Sequence, residues 1–207
     1  LGTAHAILCA APSLSGPCIV AFADTLFNAD FSIDSSEDGY IWVQKVADPS
    51  AFGVVQLDDQ GYITAFVEKS PVFVSDLAIV GIYYFKDGNY LKEELQYLID
   101  RNIKDKGEFQ LTNALENMKA KGTRFRPASI DEWLDCGNKE AVVAANQRML
   151  ELKYPDSNIS ETATVEDAVI LPPCYIGEQA EIRNAVVGPH VSLGNHSKVE
   201  NSLLSNC

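Results

Sequence analysis

The segment VILPPCYIGEQAEIRNAVVGPHVSLGNHSKVENSLL, residues 169–204, repeats in blocks of six residues. One position of each block is aliphatic, and a glycine often follows it directly. This period predicts short strands joined by turns that stack into a parallel β-helix, because an ordinary half-buried strand alternates with period two. The repeated aliphatic residues are Ile170, Ile176, Ile182, Val187, Leu193 and Val199, with one step of five residues in the middle.

The repeat has consequences for how the chain divides. About two coils are present, and a stacked array needs neighbouring coils and a cap, so we expect the natural protein to continue beyond Cys207. The YPDSN stretch that precedes the repeat has the composition of a linker. We therefore predict a first domain at residues 1–153 and a β-helix, of which only the start is present, at residues 154–207.

The residues before the linker show the pattern of strands and helices that is typical of an α/β domain. PCIVAFAD, residues 17–24, is a nearly all-apolar run, which is typical of a strand buried on both faces in a parallel sheet. Strands rich in β-branched and aromatic residues alternate with helical patterns farther along, which predicts a Rossmann-like three-layer α/β fold. The predicted strands cover residues 40–46, 52–58, 62–69, 77–85 and 125–130, and the helices 88–103, 110–122 and 138–153.

Composition excludes several classes of protein. The chain is 46% hydrophobic and 22% charged with a net charge of −13, which is typical of a globular protein and argues against a nucleic-acid surface. Its five cysteines form no CxxC pair, which favours a reducing, cytoplasmic location. No apolar run approaches the ~20 residues of a membrane span, and there is no secretory signal, so no membrane partner is expected.

Two aspartates follow predicted strands. Asp24 ends the run at 17–24, and Asp135 lies in EWLDCGN, residues 132–138. An aspartate before a glycine-containing turn can bond the backbone two residues on, and a strand-end aspartate can cap the following turn. The residues alone leave these structural roles open beside a functional one.

Five segments together resemble one family, the sugar-nucleotide pyrophosphorylases, which are nucleotidyltransferases acting on sugar 1-phosphates. Their order and spacing follow the family pattern, and many members carry a left-handed β-helix tail. The matching segments are LGTAHA (1–6), AFADTLF (21–27), FGVVQLDDQGYITAFVEK (52–69), EFQLTNAL (108–115) and EWLDCGN (132–138).

The resemblance implies catalytic roles for three residues. Asp24 and Asp135 would hold the catalytic Mg²⁺, and Lys69 would contact the phosphate of the sugar. Glu68 would bind sugar hydroxyls. The alternative is that Glu68 and Lys69 form an exposed ion pair on the hairpin, and such pairs contribute little to the stability of the fold.

Other positions would contact the two substrates. The resemblance places Phe52, Gly53, Ile79 and Gly81 beside the sugar, and Gly2 and Thr3 at the nucleobase. It also implies that Trp133 binds substrate. Plain strand packing is the alternative for Gly53, Ile79 and Gly81, and Thr3 could instead cap the helix that follows it.

The implied reaction is transfer of a nucleotidyl group from dTTP or UTP to glucose 1-phosphate, in a homo-oligomer. The family's GxG[TS]R loop and its Pro-Lys partner are absent from these residues. Leu1 does not resemble a natural start, so we expect both upstream of it and expect the chain alone to be inactive. A regulatory homologue without activity and a hexapeptide-repeat acyltransferase remain alternatives.

Overall fold

A computed structural model of the protein describes residues 1–28 and 32–207. The chain forms two compact units, Leu1–Trp133 and Leu134–Cys207. This division follows contacts within the folded chain and does not test which segments fold independently, so the domain boundary near Lys153 stays a prediction.

The described residues of the first unit form three α-helices and most of the longer strands. A short 3₁₀ turn at Ala11–Ser13 follows the first helix. The helices are α1 (Thr3–Leu8), α2 (Gly88–Asp100) and α3 (Leu111–Ala120). The strands are β1 (Cys18–Ala21), β2 (Thr25–Asn28), β3 (Gly39–Lys45), β4 (Gly53–Leu57), β5 (Ile63–Glu68), β6 (Leu77–Phe85), β7 (Phe125–Ser129) and β8 (Glu132–Asp135), the last of which crosses the unit boundary.

A mixed sheet forms the centre of this unit. Its order is β5-β4-β6-β3-β7, with β1 paired to β6, and β3 and β7 run parallel while the other pairs are antiparallel. Strands β2 and β8 form a separate two-stranded sheet. The mixed sheet with its helices confirms the predicted α/β class. Side chains alternate between the two faces along a strand, so the continuously buried β6 packs on both faces of the sheet.

The two faces of the sheet carry different cores. Along β6, Tyr83 and Phe85 join the larger core with apolar residues of the three helices, whereas Ile82 and Tyr84 join a smaller cluster around Trp42. Asp87 starts α2 by accepting hydrogen bonds from the backbone N–H groups of the second and third residues after it. The helical residues in the larger core include Ala4, Ile7, Leu91, Leu95, Leu98, Leu111 and Leu115.

Strand β1 differs from its prediction. It pairs antiparallel with β6 and with no other strand in the described part of the chain, and the side chain of Ile19 is 57% exposed. The prediction of a strand buried on both faces in a parallel sheet was therefore wrong. A short apolar run shows that a segment is extended, but it does not show whether both of its edges are paired.

The second unit combines a helix with a parallel β-helix. Helix α4 spans Lys139–Lys153 and is capped by Asn138, whose side chain accepts from the Ala141 N–H. Three parallel sheets follow, with orders β15-β12-β9, β10-β13-β16 and β11-β14-β17, which confirms the predicted β-helix. The strands are β9 (Asn158–Ile159), β10 (Thr164–Glu166), β11 (Val169–Ile170), β12 (Cys174–Ile176), β13 (Glu181–Arg183), β14 (Val186–Val187), β15 (Val191–Leu193), β16 (Lys198–Glu200) and β17 (Leu203–Leu204).

Residues 17 positions apart stack on one another in successive coils. Inside, Ile176, Ile182 and Val187 are at most 1% exposed. Outside, Arg183 Nε donates to Glu166 Oε2 at 3.0 Å. Asn184 Nδ2 donates to the Asn201 side chain at 2.7 Å. The repeat thus sets both the buried aliphatic column and the surface ladders.

Helix α4 packs on one sheet of the β-helix. Ser192 Oγ donates to Asn146 Oδ1 at 2.6 Å. The Tyr154 and Tyr175 rings lie 5.5 Å apart between centroids. These contacts make α4 and the β-helix one compact body.

The cysteine and membrane predictions concern the whole chain. All five cysteines are free thiols in the structure. Among the described helices, none combines the length and the apolar character that crossing a bilayer would require.

Candidate active site

The β4–β5 hairpin brings two of the matching motifs together. Gly53 is the register partner of Glu68 in the antiparallel pair. One step farther, the Lys69 N–H donates to the Phe52 carbonyl at 3.1 Å. Residues distant in sequence, Phe52–Gly53 and Glu68–Lys69, therefore form a single end of the sheet.

The Glu68 carboxylate lies in a tightly packed position. Thr112 Oγ1 donates to Glu68 Oε2 at 3.3 Å. A Cβ atom added at Gly53 would lie 3.0 Å from that oxygen and 3.4 Å from Ile79 Cδ1. Glycine at position 53 thus leaves room for the carboxylate, and Ile79 belongs to the same group of contacts.

Burial around Glu68 also affects Tyr83. Tyr83 is 4% exposed, and burial first, then the negative charge of Glu68, raise the pKa of its phenol. The phenol therefore stays protonated at neutral pH.

The sequence motif predicted a role for Lys69 but not for Thr112. Lys69 adopts a positive φ of 43°, a region uncommon for residues other than glycine. Thr112, only 7% exposed, was not assigned a role, although it lies inside the matching segment EFQLTNAL. Its position inside a matching segment, at the start of a predicted helix, is the sequence signal that could have found it.

Trp133 lies against the hairpin end. Its ring packs edge-on against Phe52, with centroids 4.9 Å apart. The indole N–H is buried and has no acceptor among the described residues. Buried donors are normally paired, so this group is available to a bound acceptor or a water molecule.

Gly2 and Thr3 contact the start of α3. Gly2 has φ +97°, and a Cβ atom there would collide with the carbonyl oxygen of Phe109. The Ala4 N–H donates to the same oxygen at 2.9 Å. Thr3 Oγ1 accepts from the Leu111 N–H at 2.9 Å, so it caps α3 rather than the helix that follows it, which was the structural alternative. The proposed role of both residues at the nucleobase stays a prediction.

Gly81 supports the turn that carries Asp24. It has φ +88°, and its Cβ would meet Phe22 Cδ2 at 3.1 Å. The Phe22 N–H donates to the Gly81 carbonyl at 3.0 Å. Thr25 Oγ1 donates to the Val80 carbonyl at 3.2 Å. The middle of β6 therefore fixes the turn, and Asp24 is exposed upon it.

The two aspartates have different surroundings. In residues 1–28 and 32–207 the Asp24 carboxylate has no hydrogen bond or ion pair. Asp135 Oδ1 accepts from the Gly137 N–H at 3.1 Å, which is the turn interaction expected from the sequence. A carboxylate has about four lone-pair positions, so this bond leaves capacity for a cation.

The donor chemistry fits Mg²⁺. Magnesium takes oxygen ligands and is usually held by one or two carboxylates together with substrate phosphates. Within the described chain no group of three potential ligand side chains occurs, and the assignment of Asp24 and Asp135 as metal ligands stays a prediction. Asp24 belongs to the first unit and Asp135 to the second.

Comparison with known proteins gives two family matches. The model of the nucleotidyl transferase family matches residues 1–151, and that of the GlmU-like C-terminal hexapeptide family matches residues 141–205. A solved structure, a nucleoside-diphosphate-sugar pyrophosphorylase from Vibrio cholerae RC9, aligns with a TM-score of 0.59 at 20% identity. That alignment covers 69% of this chain and 64% of the other. At this identity the likeness supports the fold alone.

Curated relatives are similar over most of this chain. Glucose-1-phosphate thymidylyltransferase of Streptomyces antibioticus is 30% identical over 182 residues, which cover 83% of this chain and 50% of the relative. The bifunctional protein GlmU of Methanococcus vannielii is 28% identical over 179 residues, covering 83% and 42%. The chain thus spans about half the length of the curated relatives it matches. Since the first family model covers well over half of its residues, the chain belongs to the nucleotidyl transferase family.

Proposed function

We propose that the full-length protein transfers a nucleotidyl group to a sugar 1-phosphate, with release of pyrophosphate. Relatives named glucose-1-phosphate thymidylyltransferase support glucose 1-phosphate as the acceptor and dTTP as the donor. UTP is the second candidate donor. Family membership supports the transferase class. The choice of sugar and base rests on resemblance.

The main support for this proposal is that four predicted site residues lie together at one end of the β4–β5 hairpin. Glu68 is opposite Gly53, and the Lys69 N–H bonds the Phe52 carbonyl. This hairpin end supplies a carboxylate, an ammonium, an aromatic side chain and a glycine, a set that suits a sugar carrying a phosphate. The carboxylate accepts from hydroxyls and the ammonium binds the phosphate.

The proposed reaction is an in-line displacement. A phosphate oxygen of the sugar 1-phosphate forms a bond to the α-phosphorus of the triphosphate. The bond from that phosphorus to the bridging oxygen breaks, and its electron pair leaves with pyrophosphate. The protein contributes position and charge, because such transfers need little covalent chemistry from side chains.

Each residue has a part in this scheme. Lys69 binds the attacking phosphate, and Glu68 orients the sugar through its hydroxyls. Asp24 and Asp135 would hold a divalent cation, which supplies positive charge to neutralise the phosphates as the reaction proceeds.

The test is pyrophosphate release by the full-length protein with glucose 1-phosphate, Mg²⁺ and each nucleoside triphosphate in turn. We expect release with dTTP or UTP, and a loss of about 10²-fold or more in Lys69→Met. Lys45→Met, on a 76% exposed side chain of β3, is the matched control and should keep full activity. Without the upstream loop, the 207-residue chain should release none.

Other outcomes would contradict the proposal. Binding of sugar phosphate without turnover by the full-length protein would identify a regulatory homologue. Transfer from acetyl-CoA without pyrophosphate release would identify an acyltransferase.

A further inference from the structure

A tight turn at Asp105–Glu108 lies beside the hairpin end. The N–H groups of Asp105 and Glu108 donate to each other's carbonyls at 2.9 and 3.0 Å. The two central residues, Lys106 and Gly107, have φ angles of +50° and +85°. Positive φ at both central positions is typical of a type I′ turn, in which asparagine, aspartate or glycine is usual and lysine is not.

The Lys106 side chain extends from this turn to the two sugar-side residues. Its Nζ donates to the Lys69 carbonyl at 2.8 Å and lies 3.5 Å from the Glu68 carbonyl. The first distance is that of a charge-assisted hydrogen bond, which is stronger than a bond between neutral groups. Lys106 therefore holds the backbone of the residues proposed to bind the sugar 1-phosphate.

The bonded carbonyl belongs to a residue in an unfavourable conformation. Lys69 has φ +43°, and such geometry persists only where its surroundings enforce it. On one side the Lys69 N–H is bonded to the Phe52 carbonyl. On the other side the Lys69 carbonyl is bonded to Lys106. Loss of the second bond removes one of the two restraints on this peptide segment.

The same turn also continues toward the proposed base side. Directly after it, the Phe109 N–H donates to the Leu1 carbonyl at 3.0 Å, and the Phe109 carbonyl accepts from Ala4. The turn therefore links residues 1–4 with residues 68–69 inside the first unit. A change in the turn backbone would affect the residues proposed to bind both substrates. The Lys106 side chain, however, contacts residues proposed to bind the sugar.

We infer that Lys106 is a positioning residue, which orders Glu68 and Lys69 for the sugar 1-phosphate through their backbone carbonyls. The inference rests on the proposed function for its kinetic consequence. Its structural part, the restraint of the Lys69 backbone, can be measured without any substrate.

The structural experiment uses hydrogen exchange at the Lys69 amide in the full-length protein without ligand. In Lys106→Met we expect exchange about tenfold faster, the scale of one hydrogen bond to a charged group. Lys106→Arg keeps the donor and should restore protection. Lys104→Met removes the same charge from the same loop, but Lys104 lies over the Phe109 ring at 4.8 Å, so exchange at Lys69 should not change.

The kinetic experiment uses the same variants. We expect the KM for sugar 1-phosphate to rise about tenfold in Lys106→Met, with kcat and the KM for the nucleoside triphosphate unchanged within about twofold. A general loss of structure would instead change kcat and both KM values. Lys106→Gln serves as a second neutral variant if the methionine variant folds poorly.

Unchanged exchange at Lys69 in both neutral variants would overturn the inference, since the Lys106 hydrogen bond would then not restrain the Lys69 backbone. Faster exchange with an unchanged KM would also overturn it, since the restraint would then not matter to the sugar. If the wild-type protein transfers no nucleotide, the proposed function fails. The exchange result still decides whether Lys106 orders the Lys69 backbone.

Discussion

Asp135 has a structural and a proposed chemical role at one carboxylate. Its Oδ1 accepts from the Gly137 N–H, which closes the turn of EWLDCGN. A metal ligand at this position needs the negative charge, whereas the turn needs only an oxygen acceptor. Because asparagine supplies the acceptor without the charge, it separates the two roles.

We predict that Asp135→Asn lowers turnover of the full-length protein by ~10²-fold, the scale of losing one preorganised charged group. The melting temperature should be unchanged, because Asn can keep the turn. Asp131→Asn, four residues earlier, is the control and should keep activity. Full turnover of Asp135→Asn at saturating Mg²⁺ would show that Asp135 only stabilises the turn and does not bind the metal.

Single residues also show where the sequence stops being informative about the site. The motifs suggested Phe52, Gly53, Glu68 and Lys69, and the turn between the strands predicted the hairpin that joins them. The register shift at Gln56–Leu57, which lies between that turn and the pairing of Gly53 with Glu68, is not visible in the sequence. Thr112 and Lys106 reach Glu68 and Lys69 from distant parts of the chain. Such contacts depend on the packing of whole elements, which no local pattern contains.

Secondary structure elements were predicted well where periodicity was strong. The predicted strand at 77–85 is β6 with the same bounds, and the predicted helix at 110–122 contains α3. Strand β1 was placed wrongly because pairing is a property of neighbours. The junction of α1 with α3 was also invisible, since it depends on the close approach of Gly2 to Phe109.

We predict that Gly2→Ala separates α1 from α3 and lowers the melting temperature by roughly 5 °C or more, the scale of a kcal/mol or two of clash and strain. Gly61→Ala is a matched control. Gly61 has φ +80°, similar to the +97° of Gly2, but has open space where a Cβ would lie. Differential calorimetry of both variants therefore separates backbone strain from collision.

An equal loss in the two variants would show that only the positive φ matters. In that case the approach to the Phe109 carbonyl would not be what requires a glycine at position 2.

At the scale of the whole molecule, α4 belongs to the same compact unit as the β-helix. Its described contacts include Asn146 with Ser192 and Tyr154 with Tyr175. A helix of this length is marginal in water without tertiary contacts. The sheet of the first unit has its own core around Trp42, Tyr83 and Phe85.

We predict that a full-length protein truncated after Tyr154 keeps the sheet but loses protection in α4. The main melting transition should move by less than about 3 °C, since the first unit keeps its core. Near-ultraviolet dichroism of buried Trp42 and hydrogen exchange in residues 139–153 give the two measurements. A second truncation after Asn138 removes α4 as well and should melt at the same temperature. Loss of the Trp42 signal in either protein would instead show one cooperative core.

The 17-residue stacking step makes the length of the β-helix quantised. Removing or adding a whole step returns every side chain to its ladder, with Glu166, Arg183 and Glu200 as successive rungs. A change of one residue within a strand turns the following side chains of that strand to the opposite face. The length of the β-helix can therefore vary between related proteins in steps of one coil. Each coil adds about 4.8 Å, the spacing of paired strands.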